Sequence, residues 1–189
     1  REAFFTPARH LAGGQDLAAI VAGLDDGFAA AEAETGATCL LIADIDRAFG
    51  PTAGLDLVER LVELRRSGTA GMGRVIGVGM DSTERGIDPV SFRPAFAAAG
   101  AARFRLTAHQ GENSPAAAIA AAVDVLGVER IDHCLSILED PELVRRVAAA
   151  RIPLTVCPTS NVRTRVVPSL AERAARSSHS SSRPYVGSA

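Results

Sequence analysis

Short apolar runs alternate with helix-period segments along nearly the whole chain, and this alternation restricts the fold more than any other feature. Residues 16–34 carry Leu17, Ile20, Val21, Leu24 and Phe28 at helical spacing, with Gly36 placed as a stop. The nearly all-apolar run 38–45 then suits a strand covered on both faces, and Leu55, Val58, Leu61 and Val62 mark a second amphipathic helix closing near Gly68. The cycle repeats with a strand over 75–80, a short helix over 92–99 and a strand over 104–108. Ser114-Pro115 reads as an N-cap and first-turn proline for a helix bearing Ile119, Val123 and Leu126 and ending at Gly127. A brief strand over 130–133 follows. Asp140-Pro141-Glu142 opens the next helix with an acidic cap that favours the helix dipole, and 152–157 forms the last clear strand. With Ala3-Phe4-Phe5 at the start, six strands are expected.

Strands and helices in strict succession with short links demand a parallel sheet with right-handed crossovers, either open and doubly wound or closed as a (β/α)8 barrel. No glycine-rich phosphate fingerprint follows the first strand. In barrels the reactive groups come from the C-terminal ends of several strands. That is where His109, Glu112 and His133 fall, so the barrel is the expected architecture. A full barrel takes roughly 250 residues. A chain of 189 is therefore expected to lack one or two βα units, and its first residues read as the middle of an extended segment with something lost from the front.

Composition narrows the partners. The chain is 47% hydrophobic with a net charge of −2, which suits one globular domain with a real core. There is no basic stripe, no tryptophan and a single tyrosine, so nucleic acid is excluded as an expected partner. No stretch has the length of a membrane span or the apolar core of a signal peptide, so no membrane partner is expected either. Cys39, Cys134 and Cys157 are odd in number and widely spaced, which argues against a disulfide frame and for a reducing, cytoplasmic setting. Cys39 and Cys157 lie in apolar runs and read as small core residues. Cys134 beside His133 is not read as a thiol nucleophile, because adjacent strand residues point to opposite sides.

The chemistry is concentrated in two strand ends. One apolar run ends in His109-Gln110-Gly111-Glu112, and the next ends in Arg130-Ile131-Asp132-His133. Two histidines and a glutamate at neighbouring strand mouths are a cluster that activates water, which points to hydrolysis. His10 and His179 lie outside this cluster and read as structural.

These stretches, with Gly79-Met80-Asp81-Ser82-Thr83-Glu84 before them and Thr155-Val156-Cys157-Pro158-Thr159-Ser160-Asn161 after them, resemble in order and spacing the adenosine deaminase family of metal-dependent hydrolases. The likeness runs from Glu2 to about Pro168, and the Asp81-to-Glu84 segment looks more like the adenine deaminase branch. The resemblance implies an incomplete TIM barrel, about strands 2 to 7, over residues 1–170, followed by a polar tail over 171–189 that is expected to be disordered. It implies zinc-dependent replacement of the 6-amino group of adenosine or adenine by oxygen, with release of ammonia. His109 would ligate Zn2+, Glu112 would protonate the purine ring, and His133 would orient the attacking hydroxide. Ser82 would touch the substrate, a small purine.

The family's remaining zinc ligands come from a His-x-His on the first strand and an aspartate on the eighth, and neither has a counterpart here. The chain is accordingly expected to be truncated at both ends, to bind zinc poorly, to turn over little and to self-associate through exposed sheet edges. A non-catalytic remnant or pseudoenzyme that keeps the scaffold is the alternative. The family usually has glycine after the catalytic histidine. Here it is Cys134, at a strand end that calls for permissive backbone angles.

Overall fold

The computed structural model describes residues 1–169, in which six parallel strands lie in the sheet in the same order as in the chain. They are β1 (Glu2–Phe5), β2 (Leu40–Asp46), β3 (Val75–Asp81), β4 (Arg105–Gln110), β5 (Arg130–His133) and β6 (Leu154–Thr155). The segment 171–189, including His179, lies outside the described residues. Helices α1 (Ala8–Ala12), α2 (Leu17–Thr35), α3 (Gly50–Arg66), α4 (Arg93–Ala101), α5 (Ala116–Ala121), α6 (Pro141–Ala149) and α7 (Pro158–Arg163) fill the intervals and follow the last strand. Among the described residues no helix is long and apolar enough to cross a membrane.

Local chemistry sets several of the helix ends. Asp16 accepts a hydrogen bond from the Ala19 N–H at 3.1 Å to open α2, and Gly36 closes it at φ 68°, a left-handed angle that glycine adopts freely. Asp140 caps α6 by accepting from the N–H groups of Glu142 and Leu143, both at 3.0 Å, with Pro141 in the first turn. One expected cap is absent. Pro115, without a side-chain hydrogen bond, occupies the N-cap position of α5, and the Ser114 hydroxyl oxygen instead accepts from Gln110 Nε2 and the Gly111 N–H while its hydrogen goes to Glu84. After Ala121 the helix widens into a π-type turn over Ala122–Leu126 before Gly127 ends it at φ 69°.

The sheet is curled. In a flat parallel sheet β1 and β5 would stand four strand spacings apart, roughly 19 Å. Instead Arg130 Nη1 on β5 lies 2.5 Å from Glu2 Oε2 on β1, and the Phe4 ring meets His109 edge-on with centroids 5.3 Å apart. These contacts cross the concave side and make the sheet an incomplete (β/α) barrel.

The convex side carries the core. Leu41, Ala43, Ile45, Val58, Leu61, Val78, Phe92, Phe96, Ile119 and Ile131 belong to one continuous cluster. Gly54 in α3 lets the helix sit close on the sheet, since a Cβ there would lie 2.8 Å from the side chain of Ile45. β1 and β6 each pair on one side only, and Phe4, Leu154 and Val156 are exposed there. The last strand is shorter than the sequence pattern suggests, two residues where six read as extended. Cys39 and Cys157 are half-buried, not core, and Cys134 is the buried thiol.

Candidate active site

The register of β4 against β5 sets Gln110 opposite His133 and His109 opposite Asp132, so the two strand ends lie side by side. The rings of His109 and His133 have centroids 5.2 Å apart with planes tilted by 47°. Glu112 Oε1 lies 3.6 Å from His133 Nδ1. The three residues singled out by sequence thus converge on one mouth. Ser82 is exposed just past β3, at φ 73°.

His133 is nearly buried and is held by an amide the sequence reading had given no role. Its Nδ1 lies 2.8 Å from Asn161 Oδ1 of α7, a side chain with no exposed surface. With an amide oxygen facing it, Nδ1 carries the hydrogen, and Nε2 is the ring nitrogen left to exchange a proton. Just past the same helix, the Thr164 hydroxyl lies 3.1 Å from Glu112 Oε1 and 3.0 Å from the Ser160 carbonyl, with one hydrogen to share between them.

The backbone after this strand is as demanding as expected. His133 and Cys134 both adopt left-handed angles, φ 68° and 53°, and the Cys134 N–H donates to the carbonyls of Gln110 and Asp132. The opposite-faces argument about Cys134 therefore does not apply, because the chain is not extended there. The thiol is inert for another reason: burial, with the charge of Glu84 adding, pushes it up to about 12.

Hydropathy hid a set of buried polar residues. Asp44, Asp46, Arg47, Glu84, Gln110, Asp132 and Asn161 are all buried. Asp44 and Asp46 alternate within an apolar strand, a spacing that puts both on one face and was a legible signal. Gly79 leaves the room Asp44 occupies, since a Cβ there would overlap Asp44 Oδ1. Burial, reinforced by Asp81 and Asp132, holds the Asp44 carboxyl well above the usual carboxylate range. Arg47 supplies the shared cation and ties two strand ends, donating to the carbonyls of His109 at 2.5 Å and Met80 at 3.2 Å.

Burial pushes the His109 ring below the ordinary imidazole value, so it is neutral near pH 7, and its Nε2 has no hydrogen-bond partner. Asp44 Oδ2 is 3.8 Å away. A neutral, unpartnered imidazole nitrogen suits a metal ligand, yet among the described residues no three His, Cys, Asp or Glu side chains gather to hold an ion. The described donor set does not by itself make a metal centre.

A curled parallel sheet with histidine and carboxylate groups meeting at its strand ends is the arrangement in which (β/α) barrels place their reactive groups. The chain belongs to the adenosine deaminase family, whose model matches residues 1–178. It is 42% identical over 173 residues to an adenine deaminase of Streptomyces coelicolor, covering 90% of this chain and 48% of that protein. The crystal structure of an adenine deaminase from Arthrobacter aurescens superposes with a TM-score of 0.82 at 37% identity, covering 92% of this chain and 53% of the other. A zinc-bound amidohydrolase from Burkholderia ambifaria gives a TM-score of 0.82 at 33% identity, covering 93% and 47%. The chain spans about half the length of the curated relatives it matches.

Proposed function

We propose that this chain carries the proton-handling part of a hydrolytic deaminase that converts adenine to its 6-oxo product and ammonia. Water adds at the carbon bearing the amino group, a ring nitrogen takes up a proton, and the amine leaves as ammonia. Glu112 is the group that protonates the ring, and the free Nε2 of His133 orients the attacking water and takes up its proton. Proton transfer of this kind contributes roughly 10²–10⁴ in rate. Ser82, exposed at the same rim, contacts the substrate. The observation that carries the reading is the 3.6 Å approach of Glu112 to His133, with His109 beside them. The choice of adenine over adenosine is supported by the names of the relatives.

In such enzymes zinc supplies hydroxide at neutral pH. His109 is the ligand this chain offers, and the remaining ligands must come from elsewhere, so the chain alone binds zinc poorly and turns over slowly. The same absence of a gathered donor set favours, as a second reading, a scaffold that no longer catalyses. Zinc per chain and ammonia release from adenine and adenosine decide the matter, with Glu112→Gln as control. Release from adenine above that of the variant supports the enzyme. Preference for adenosine overturns the substrate choice, and neither metal nor ammonia leaves the scaffold reading.

A further inference from the structure

We infer that Glu84 is a positioning residue for Glu112, a role that rests on the deaminase reading of Glu112 but whose geometry stands apart from it. Glu84 follows β3 by three residues and is 2% exposed. Its carboxylate reaches across to the loop after β4 and accepts from four donors there. The Glu112 N–H reaches Oε1 at 3.0 Å, and the Gly111 N–H reaches Oε2 at 2.7 Å. Gln110 Nε2 reaches Oε2 at 3.0 Å, and the Ser114 hydroxyl also donates to Oε2.

Two consecutive backbone N–H groups converge on one anion when the chain passes through a left-handed residue, forming an anion-binding nest. Gly111 supplies that residue at φ 80°, and a Cβ there would run into the side chain of Ile119, so glycine is required on two counts. The nest is thus occupied by a side chain of the same molecule. A carboxylate is suited to it because it only accepts, and three of the four donors converge on Oε2 while the Glu112 N–H takes Oε1. A glutamine would turn its NH2 toward one of the N–H groups and lose that bond. The charge is balanced from below by Arg47, which also holds the His109 carbonyl.

Glu112 is therefore held through its backbone by Glu84, and its carboxyl lies beside the Thr164 hydroxyl. A proton donor must be held to within about half an ångström of its working geometry, and a loop residue has no strand or helix to do this. Glu84 takes that place.

Hydrogen exchange of individual amides, followed by NMR on this chain and on Glu84→Gln and Glu84→Ala, tests the role. Exchange at Gly111 or Glu112 is expected to quicken by about tenfold to a hundredfold, the effect of losing a hydrogen bond to a charged acceptor. Both amides should respond in Glu84→Ala and at least one in Glu84→Gln, while Val78, Ala108 and Ile131 in the strands keep their rates. Equal exchange in all proteins overturns the inference. So does protection lost uniformly across the strands, or failure of both variants to fold, since either makes Glu84 a general fold determinant. Where only Glu84→Ala fails to fold, Glu84→Gln decides on the same criteria. The readout uses neither zinc nor ammonia, so its failure and that of the deaminase reading are separable.

Discussion

Gly79 and Asp44 offer a direct test of how neighbouring strands are packed. A methyl group at position 79 would overlap Asp44 Oδ1 and lie 3.2 Å from both Asp44 Cγ and Thr107 Cγ2. The threonine methyl can yield a few tenths of an ångström. The Asp44 carboxyl, buried beside His109 and among other acids, has nowhere equivalent to go. Overpacking of this kind costs about 1–3 kcal/mol, so Gly79→Ala should lose about 2 kcal/mol, or roughly 4–8 °C in Tm for a domain of this size.

Asp44→Ala alone removes a carboxyl whose Oδ1 has no partner, and should change stability by about 1 kcal/mol or less. In that background the new methyl fills vacated space and gains about 0.4–1 kcal/mol from the stiffer unfolded chain. The double variant should then be about 2.5–3 kcal/mol more stable than the sum of the singles. Urea unfolding of the four proteins at pH 7 measures the coupling. Additivity to within about 0.5 kcal/mol would refute the claim that these two positions share one space.

Arg74 bridges Glu32 at 2.6 Å and contacts Asp25, both in α2, and it holds the Glu32 carboxyl below its ordinary value. A depressed carboxyl stabilises the fold above its unfolded pKa and loses that contribution as pH falls through its folded one. Arg74→Met should therefore be less stable than the parent at pH 7, with a gap that closes below the usual Glu32 value of 4.5; equal gaps in urea midpoints at pH 7 and pH 3 would contradict this. Asn161→Ala leaves His133 Nδ1 buried without its partner, and should cost about 1–3 kcal/mol. It should also raise the Nε2–H tautomer of His133 in imidazole 15N spectra; an unchanged tautomer would separate Asn161 from the ring.

The succession of elements was legible because it rests on apolar periodicity and on punctuation that acts locally. Gly36, Gly127 and the Asp140-Pro141 pair end or open their helices as their chemistry requires. His109, Glu112 and His133 were legible because each sits at the end of an apolar run, and strand ends in a barrel share one rim. Ser114 reads as a cap, but its hydroxyl is drawn into the Glu84 network, accepting from Gln110 and Gly111 and donating to a carboxylate thirty positions away. The short helix α1 has no buried residue and so left no apolar stripe to find. Hydropathy assigns aspartate and arginine to the surface, and it therefore passed over Asp44, Asp46 and Arg47.

The same geometry bears on why, among the described residues, titratable groups meet in a pair at the strand ends while no three metal-binding side chains do. Proton transfer needs two groups a few ångströms apart, and adjacent strands about 4.8 Å apart deliver that from a single flank of a sheet, as β4 and β5 do here. A catalytic ion needs three or more ligands approaching from different directions, which one flank cannot supply. The carboxyl nearest His109 Nε2 is that of Asp44, and burial with two neighbouring acids draws it toward its neutral form. His109 presents a ring nitrogen with no described partner to share an ion, while Glu112 and His133 already stand 3.6 Å apart.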